Sequence, residues 1–270
     1  MFSKYLHITT SLKGGGGKST FGCALLDCLR SEHVSVAAFD ADGAIGSLSD
    51  MHATRDADGQ MVKPQDPLIG VQSYNIRDTS RDTLINSLGC EAKHIVHDVA
   101  GGALVDMQRL FDDHGSFANL FQTLRECDAC AVFWHLVTPD KSTTDSVERH
   151  LDMTQNLGDL STYCRHMAVL NRQGGRDDQA FPHWYGYYDA TGELRGGQIR
   201  ERLHAAGGQE LDLPALKERT MSLVKSCQKP FGDAVSDPRL TLIEQQRILM
   251  FTKDFAGQLT TPVRTAAGLI

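Results

Sequence analysis

Apolar residues gather along this chain in short unbroken runs, each stopped by an aspartate, a glycine or a proline. The first, YLHITTS over 5–11, is rich in β-formers and ends at a tract of four glycines. VSVAAFD (34–40) stops at Asp40, and HIVHDVAGG (94–102) repeats the design as a strand, Asp98 and then glycines. ACAVFWHLVTPD (129–140) closes on a proline turn, and YCRHMAVLNRQGG (163–175) on two glycines. Runs without polar alternation predict strands covered on both faces, as in a parallel sheet.

Helical patterns separate these runs. STFGCALLDCLRS (19–31) puts Phe21, Leu25, Leu26 and Leu29 on one face with Cys28 beside them. Residues 103–126 predict two helices broken at His114-Gly115-Ser116, and 142–158 starts with capping residues and ends in glycine. PRLTLIEQQRILMFTKDFAGQL (238–259) predicts a closing amphipathic helix that buries Leu240, Ile243, the stem of Arg247, Met250, Phe251 and Phe255. The alternation implies an α/β fold, a mainly parallel twisted sheet with helices on both faces joined by right-handed crossovers. Residues of about 43–70 and 172–210 are polar and irregular, and they read as insertions within a single domain spanning 1–270.

Composition narrows the options. With 41% hydrophobic residues the chain has ample material for a core, and a net charge of -7 excludes bulk attraction to polyanions. Lys and Arg outnumber Asp and Glu by three over 195–270, so a mild basic patch and an ordinary solvated surface are both compatible with that part. No apolar run is long enough to span a bilayer, and the start of the chain lacks a signal-peptide pattern. Seven cysteines, an odd number, then predict reduced thiols and a cytoplasmic location.

The glycine tract carries the chemistry. A strand, then Gly14, Gly15, Gly16 and Gly17, then Lys18-Ser19-Thr20 opening a helix, is the order a phosphate-binding loop needs. Glycines let successive N–H groups turn toward phosphate oxygens, and the helix N-terminus adds its positive end. Lys18 is expected on the β- and γ-phosphates and the Ser19 hydroxyl on Mg²⁺. The strict motif wants glycine where Leu12 stands, and a second lysine, Lys13, precedes the tract.

Lys13-Gly-Gly-Gly-Gly-Lys18-Ser19-Thr20 resembles the deviant Walker A loop of the ParA/MinD family of ATPases. FDADG (39–43) resembles the family's first switch, with Gly43-Ala44 where Pro-Gln is usual; HDVAGG (97–102) resembles the second. LVTPDKSTTDS (136–146), VLNRQGG (169–175) and LDLPAL (211–216) resemble its Thr-Pro strand end, its adenine loop and its last strand, in the family's order.

The resemblance implies a P-loop NTPase-like fold that binds ATP and Mg²⁺, dimerises with ATP and hydrolyses it. It implies that Lys13 reaches the partner's nucleotide, as an arginine finger does. By the same resemblance Asp42 orients the attacking water, Asp40 and Asp98 support the metal with Ser19, and Gly101 offers its N–H to the γ-phosphate. Asn171 and Pro214 then meet the base, the amide of Asn171 both donating and accepting.

Several family functions stay open. One is positioning of a plasmid, chromosome or protein cargo with an activator protein, the dimer holding DNA nonspecifically through Arg195, Arg200, Arg202, Lys217, Arg219, Lys225 and Lys229. A second is a metal-cluster or metal-insertion ATPase, for which Cys127-Asp-Ala-Cys130 is the candidate pair, although no second pair completes a tetrahedral set. A third is an ATPase subunit of a secretion, conjugation or polysaccharide-export machine.

Overall fold

The computed structural model describes residues 1–11, 14–43, 46–102, 107 and 117–270. The apolar runs form the centre of a seven-stranded sheet. In order across it stand β3 (Gln72–Ser73), β2 (Val36–Asp40), β4 (His94–Asp98), β1 (Lys4–Thr10), β5 (Ala129–Val137), β6 (Cys164–Asn171) and β9 (Gln209–Leu213). Every pairing is parallel. Successive side chains of a strand point to opposite faces, so a sheet covered on both sides needs apolar residues at nearly every position. All nine residues of β5 are buried for this reason.

One face packs against α1 (Lys18–Ser31), α2 (Ser47–His52), α6 (Glu218–Cys227), α7 (Leu242–Gln258) and α8 (Thr261–Ala267). The other carries α3 (Phe117–Glu126), and beyond it α4 (Lys141–Gln155) and α5 (Gln198–Ala205). In α1 the predicted stripe of Phe21, Leu25, Leu26 and Leu29 is fully buried; each such side chain contributes roughly 1.5–3 kcal/mol. Among the described residues no helix is long and apolar enough to cross a membrane.

Register aligns the strand ends. Thr9 lies beside Asp98, Asp98 beside Asp40, and Asn171 beside Leu213. Asp40, Asp98 and Asn171 therefore gather at the carboxyl edge of the sheet. There β1 sits between strands reached by crossovers on either side, the position at which open α/β sheets bind ligands.

Three expectations change. The 172–210 insertion is not irregular: it holds α5 and an antiparallel pair, β7 (Tyr187–Tyr188) and β8 (Leu194–Arg195), and its Phe181, Trp184 and Leu203 pack with β5 and β6. The 43–70 insertion likewise contains α2, which buries Leu48 and Met51. In the C-terminal helix, Leu240, Phe251 and Phe255 are buried as expected, but Ile243 and Met250 are 61% exposed and Arg247 is half-buried. The reason is where the helix starts. Thr241 is its N-cap, in a capping box with Glu244, so Leu240 lies before it and the buried stripe runs Glu244, Ile248, Phe251, Phe255. The predicted helix break at 114–116 and the first of the two helices there lie outside the described residues.

The core also holds histidine. Among the described residues seven are buried, six of them in or against the sheet. His7 shares a hydrogen bond with His94 (3.1 Å), and His135 with His166 (2.9 Å). Tyr74 and Ser87 flank His97 at 2.9 and 3.0 Å, and Thr10 meets His150 at 3.3 Å. Burial opposes the charged ring and holds all of them below the ordinary histidine value, to about 3 for His97 and His166 and about 4 for His94 and His150. His7 and His135 are lowered as well, first by burial and then by neighbouring histidines.

Below the unfolded value of about 6.5 the unfolded chain binds protons that the native chain refuses, so stability is present above that pH and lost as pH falls toward 3–4. Each such histidine removes about 1.4 kcal/mol per pH unit. Asp27 and Asp40, raised to about 6, and Asp98, also raised, act in the opposite sense but are fewer. The urea midpoint is expected to fall steadily from pH 7 to pH 5; an unchanged midpoint contradicts this account.

Candidate functional site

The turn from β1 into α1 is built by glycine. Gly15 and Gly17 adopt φ of 76° and 94°, a region that side chains rarely enter. A Cβ on Gly17 would also lie 2.7 Å from Asn171 Nδ2. Helix α1 starts at Lys18 with no side-chain cap and no acidic residue in its first turn. The positive end of its dipole thus faces the loop.

Lys18 is buried beside this turn. Burial lowers its pKa, while the charges of Asp98 and then Asp42 favour the ammonium form. Asp98, the last residue of β4, is buried and accepts a 2.6 Å hydrogen bond from the Thr9 hydroxyl. The Ser19 hydroxyl also donates to it. Burial nevertheless pushes the Asp98 carboxyl up, against the pull of Ser19, Thr9 and Lys18. Asp42 is exposed and bridges to Asn75 at the end of the sheet. Gly101 sits in the turn after β4, its carbonyl accepting from Arg77 at 2.9 Å, and Gly102 N–H donates to the Ser11 carbonyl at 3.1 Å.

Asp40 is fully buried, and its carboxylate accepts from the backbone N–H of Ser49 (2.9 Å) and of Asp42 (3.3 Å). It therefore caps the first turn of α2 and fixes the approach to Asp42. Burial, then the charge of Asp98, raises it to about 6. Lys13 lies outside the described residues, as does Ala44.

A cavity of about 350 Å³ opens from Gly15, Gly17 and Thr20 toward the end of β9. Asn171 and Pro214 line it, as do Leu213, Leu216 and Met221. Asn171 is more committed than its sequence suggested: its Nδ2 donates to the Gly16 carbonyl (3.0 Å) and its Oδ1 accepts from Gln173 N–H (2.9 Å). One N–H and one lone pair of the amide are left for another partner. The apolar walls were missed because α6, which supplies Met221, carries no motif; LDLPAL was the available signal for Leu213 and Leu216. A second cavity, about 380 Å³, borders the other side of Gly14–Gly16 and is lined by Thr138, Pro139 and Asp140.

The remaining candidates are dispersed. Arg195 pairs with Asp189 and Glu193, Arg200 with Glu210, Arg202 with Asp152, Arg219 with Glu244 and Lys229 with Asp237. Lys225 donates to Ser47 and lines the 350 Å³ cavity, and Lys217 stands at the N-cap of α6. Cys127 is exposed, whereas Cys130 is buried in β5 with its thiol pushed up to about 12. Among the described residues no group of three or more metal-binding side chains occurs.

No family model matches the sequence, and no curated protein matches it. Solved structures do. A ParA family ATPase from Chlorobium tepidum TLS superposes with a TM-score of 0.51 at 13% identity, over 92% of this chain and 98% of its own. A McdA–ATP complex from Cyanothece gives 0.51 at 11% identity, over 99% and 97%. The septum site-determining protein MinD of Pyrococcus horikoshii OT3, complexed with Mg-ADP, gives 0.50 at 13% identity, over 96% of each chain. The chain thus has the P-loop NTPase-like α/β fold of the ParA and MinD ATPases.

The tight fit around Asp40 is directly testable. A Cβ at Gly46 would lie 1.9–2.1 Å from the Asp40 carboxylate. Gly46→Ala is expected to destabilise the protein by about 1–3 kcal/mol through overpacking, read as a lower urea midpoint. An unchanged midpoint would mean the carboxylate is free to move aside.

Proposed function

We propose that this protein is an ATP-dependent switch of the ParA/MinD kind, which dimerises on ATP, hydrolyses it slowly to ADP and phosphate, and positions a cargo through a partner protein. One observation carries the reading: the uncapped N-terminus of α1, Lys18 and the Asp98–Ser19 pair converge on the glycine loop, and the base-sized cavity opens from that loop. The MinD and McdA structures of the same fold are complexes with Mg-ADP and ATP, which supports a nucleotide here.

The donor set suits the cofactors. A triphosphate is an anion for the N–H groups of Gly14 to Gly17 and for Lys18, and Thr20 borders the cavity at the same turn. The cavity's apolar walls suit a planar base, with Pro214 against it and the spare donor and acceptor of Asn171 at its edge. The hydroxyl of Ser19 and the carboxylate of Asp98 are hard oxygen ligands and would hold Mg²⁺, directly or through its waters. When bound, the metal supplies charge neutralisation at the phosphates.

Asp40 would support the metal through its waters and also holds the backbone of Asp42 and α2, and Asp42, exposed beside Lys18, orients the attacking water. Gly101 N–H is assigned to the γ-phosphate. Lys13 is assigned to the partner's nucleotide, which makes hydrolysis conditional on pairing. A slow turnover suits a switch whose bound state must persist long enough to be read. Five of the seven candidate DNA-binding cations pair with carboxylates, which lowers the net positive charge they present to DNA.

Lys13→Ala is expected to keep nucleotide affinity and lose hydrolysis by about a thousandfold, the scale of an arginine finger. Near-normal turnover in that variant removes the assignment. Asp42→Ala is expected to accumulate an ATP-bound dimer, visible as a doubled mass in gel filtration with ATP but not ADP. A monomer under both conditions counts against the switch.

A further inference from the structure

At the far end of α1, about 20 Å along the helix from the glycine loop, lies a separate cavity of about 750 Å³. That is within the range of small-molecule sites, roughly 300–1,000 Å³. Its lining is mixed. Met51, Ile69 and Pro230 give an apolar wall, while Arg30, Arg55 and His52 bring polar groups.

These polar groups are under-used. Arg30 donates from Nη2 to the Gly70 carbonyl (2.7 Å) and more weakly to that of Pro67 (3.4 Å). Arg55 donates to the carbonyls of Gly59 (3.0 Å) and Asp50 (3.1 Å). The Nε of each is buried without a partner. His52 is 4% exposed, and neither ring nitrogen makes a hydrogen bond. The Cys23 carbonyl is close enough to favour a proton on that ring, without the geometry of a bond. Each buried unpaired polar group costs about 1–3 kcal/mol, and three of the side chains that border this cavity carry one.

Charge points to the sign of the missing partner. Lys229 and Arg239, also on the rim, are both occupied by Asp237. Asp27 and Asp233 border the cavity too: Asp27 attracts Arg30 and accepts from Gly232 N–H at 2.8 Å, and Asp233 is exposed to solvent. Arg30 and Arg55 are thus guanidinium groups whose hydrogen bonds go to neutral carbonyls, each with an unpartnered Nε, beside an apolar wall.

We propose that this cavity is a second ligand site, for a small organic anion whose acidic head lies among Arg30, Arg55 and His52 and whose apolar body rests on Met51, Ile69 and Pro230. It is independent of the nucleotide assignment: no residue of the 350 Å³ cavity lines it. The helix that presents Met51 and His52 is the one whose first turn Asp40 holds.

Fluorescence titration of the full chain with anilinonaphthalene sulfonate tests this, with N-phenylnaphthylamine as a related arylnaphthylamine lacking the sulfonate. The sulfonate dye is expected to bind once per chain, about tenfold or more tighter than the neutral one, and to stay bound under saturating ADP. Arg55→Met and His52→Phe are each expected to weaken it about tenfold. His52→Phe removes the unpaired nitrogens and keeps a ring, so it is also expected to raise Tm in the absence of dye. Should one variant fail to fold, the other decides. Equal binding of the two dyes, displacement by ADP, or full affinity in a folded variant overturns the proposal.

Discussion

A buried carboxylate holds together the sheet edge at which the glycine loop turns into its helix. Asp98 ends the strand next to β1 and takes hydroxyl hydrogen bonds from Thr9, just before the glycine loop, and from Ser19, just after it. A carboxylate out of water is costly unless hydrogen-bonded and paired. Two hydroxyls and the nearby charge of Lys18 offset that cost only if the loop brings them to it. The entry and exit of the loop are therefore pinned to one point, and its glycines absorb the turn between.

Other braces extend from the same edge. Asn171 ties β6 to the Gly16 carbonyl, and Asp40 ties the end of β2 to the backbone of Asp42 and to α2. Asp40 and Asp98 stand side by side in the register, and the charge of Asp98 adds to burial in raising the pKa of Asp40. Adjacent buried carboxylates oppose each other's ionisation, and Lys18 offsets this at Asp98. The histidine-rich interior adds a second dependence, since the core is complete only while those rings are neutral.

Much of this was legible from residue order. Apolar runs ending in Asp40 and Asp98 located two strand ends, and the glycine tract located the loop, because short-range rules govern both. Asn171 was legible as a site residue but not as a brace, since its partner Gly16 lies 155 positions away in sequence. The basic residues of 195–229 read as a basic patch or an ordinary solvated surface; their partners Glu210, Asp152, Glu244 and Asp237 come from a strand, two helices and a turn, which a charge count along the sequence does not reveal. The C-terminal helix misled by its start: a cap at Thr241 rotates the buried stripe from Ile243 and Met250 to Ile248.

Sequence alone determined the parallel α/β architecture, the glycine turn and the aspartates at the strand ends, because each follows from local periodicity or from backbone freedom at single residues. Only the tertiary structure decided which groups are spent and which are left over. It gave Asp40 to a helix start, bound the surface arginines to carboxylates, and left His52, Arg30 and Arg55 with unmet hydrogen bonds around one cavity. Hydrogen-bond satisfaction depends on which distant residues share a small volume, and that is a property of the fold as a whole.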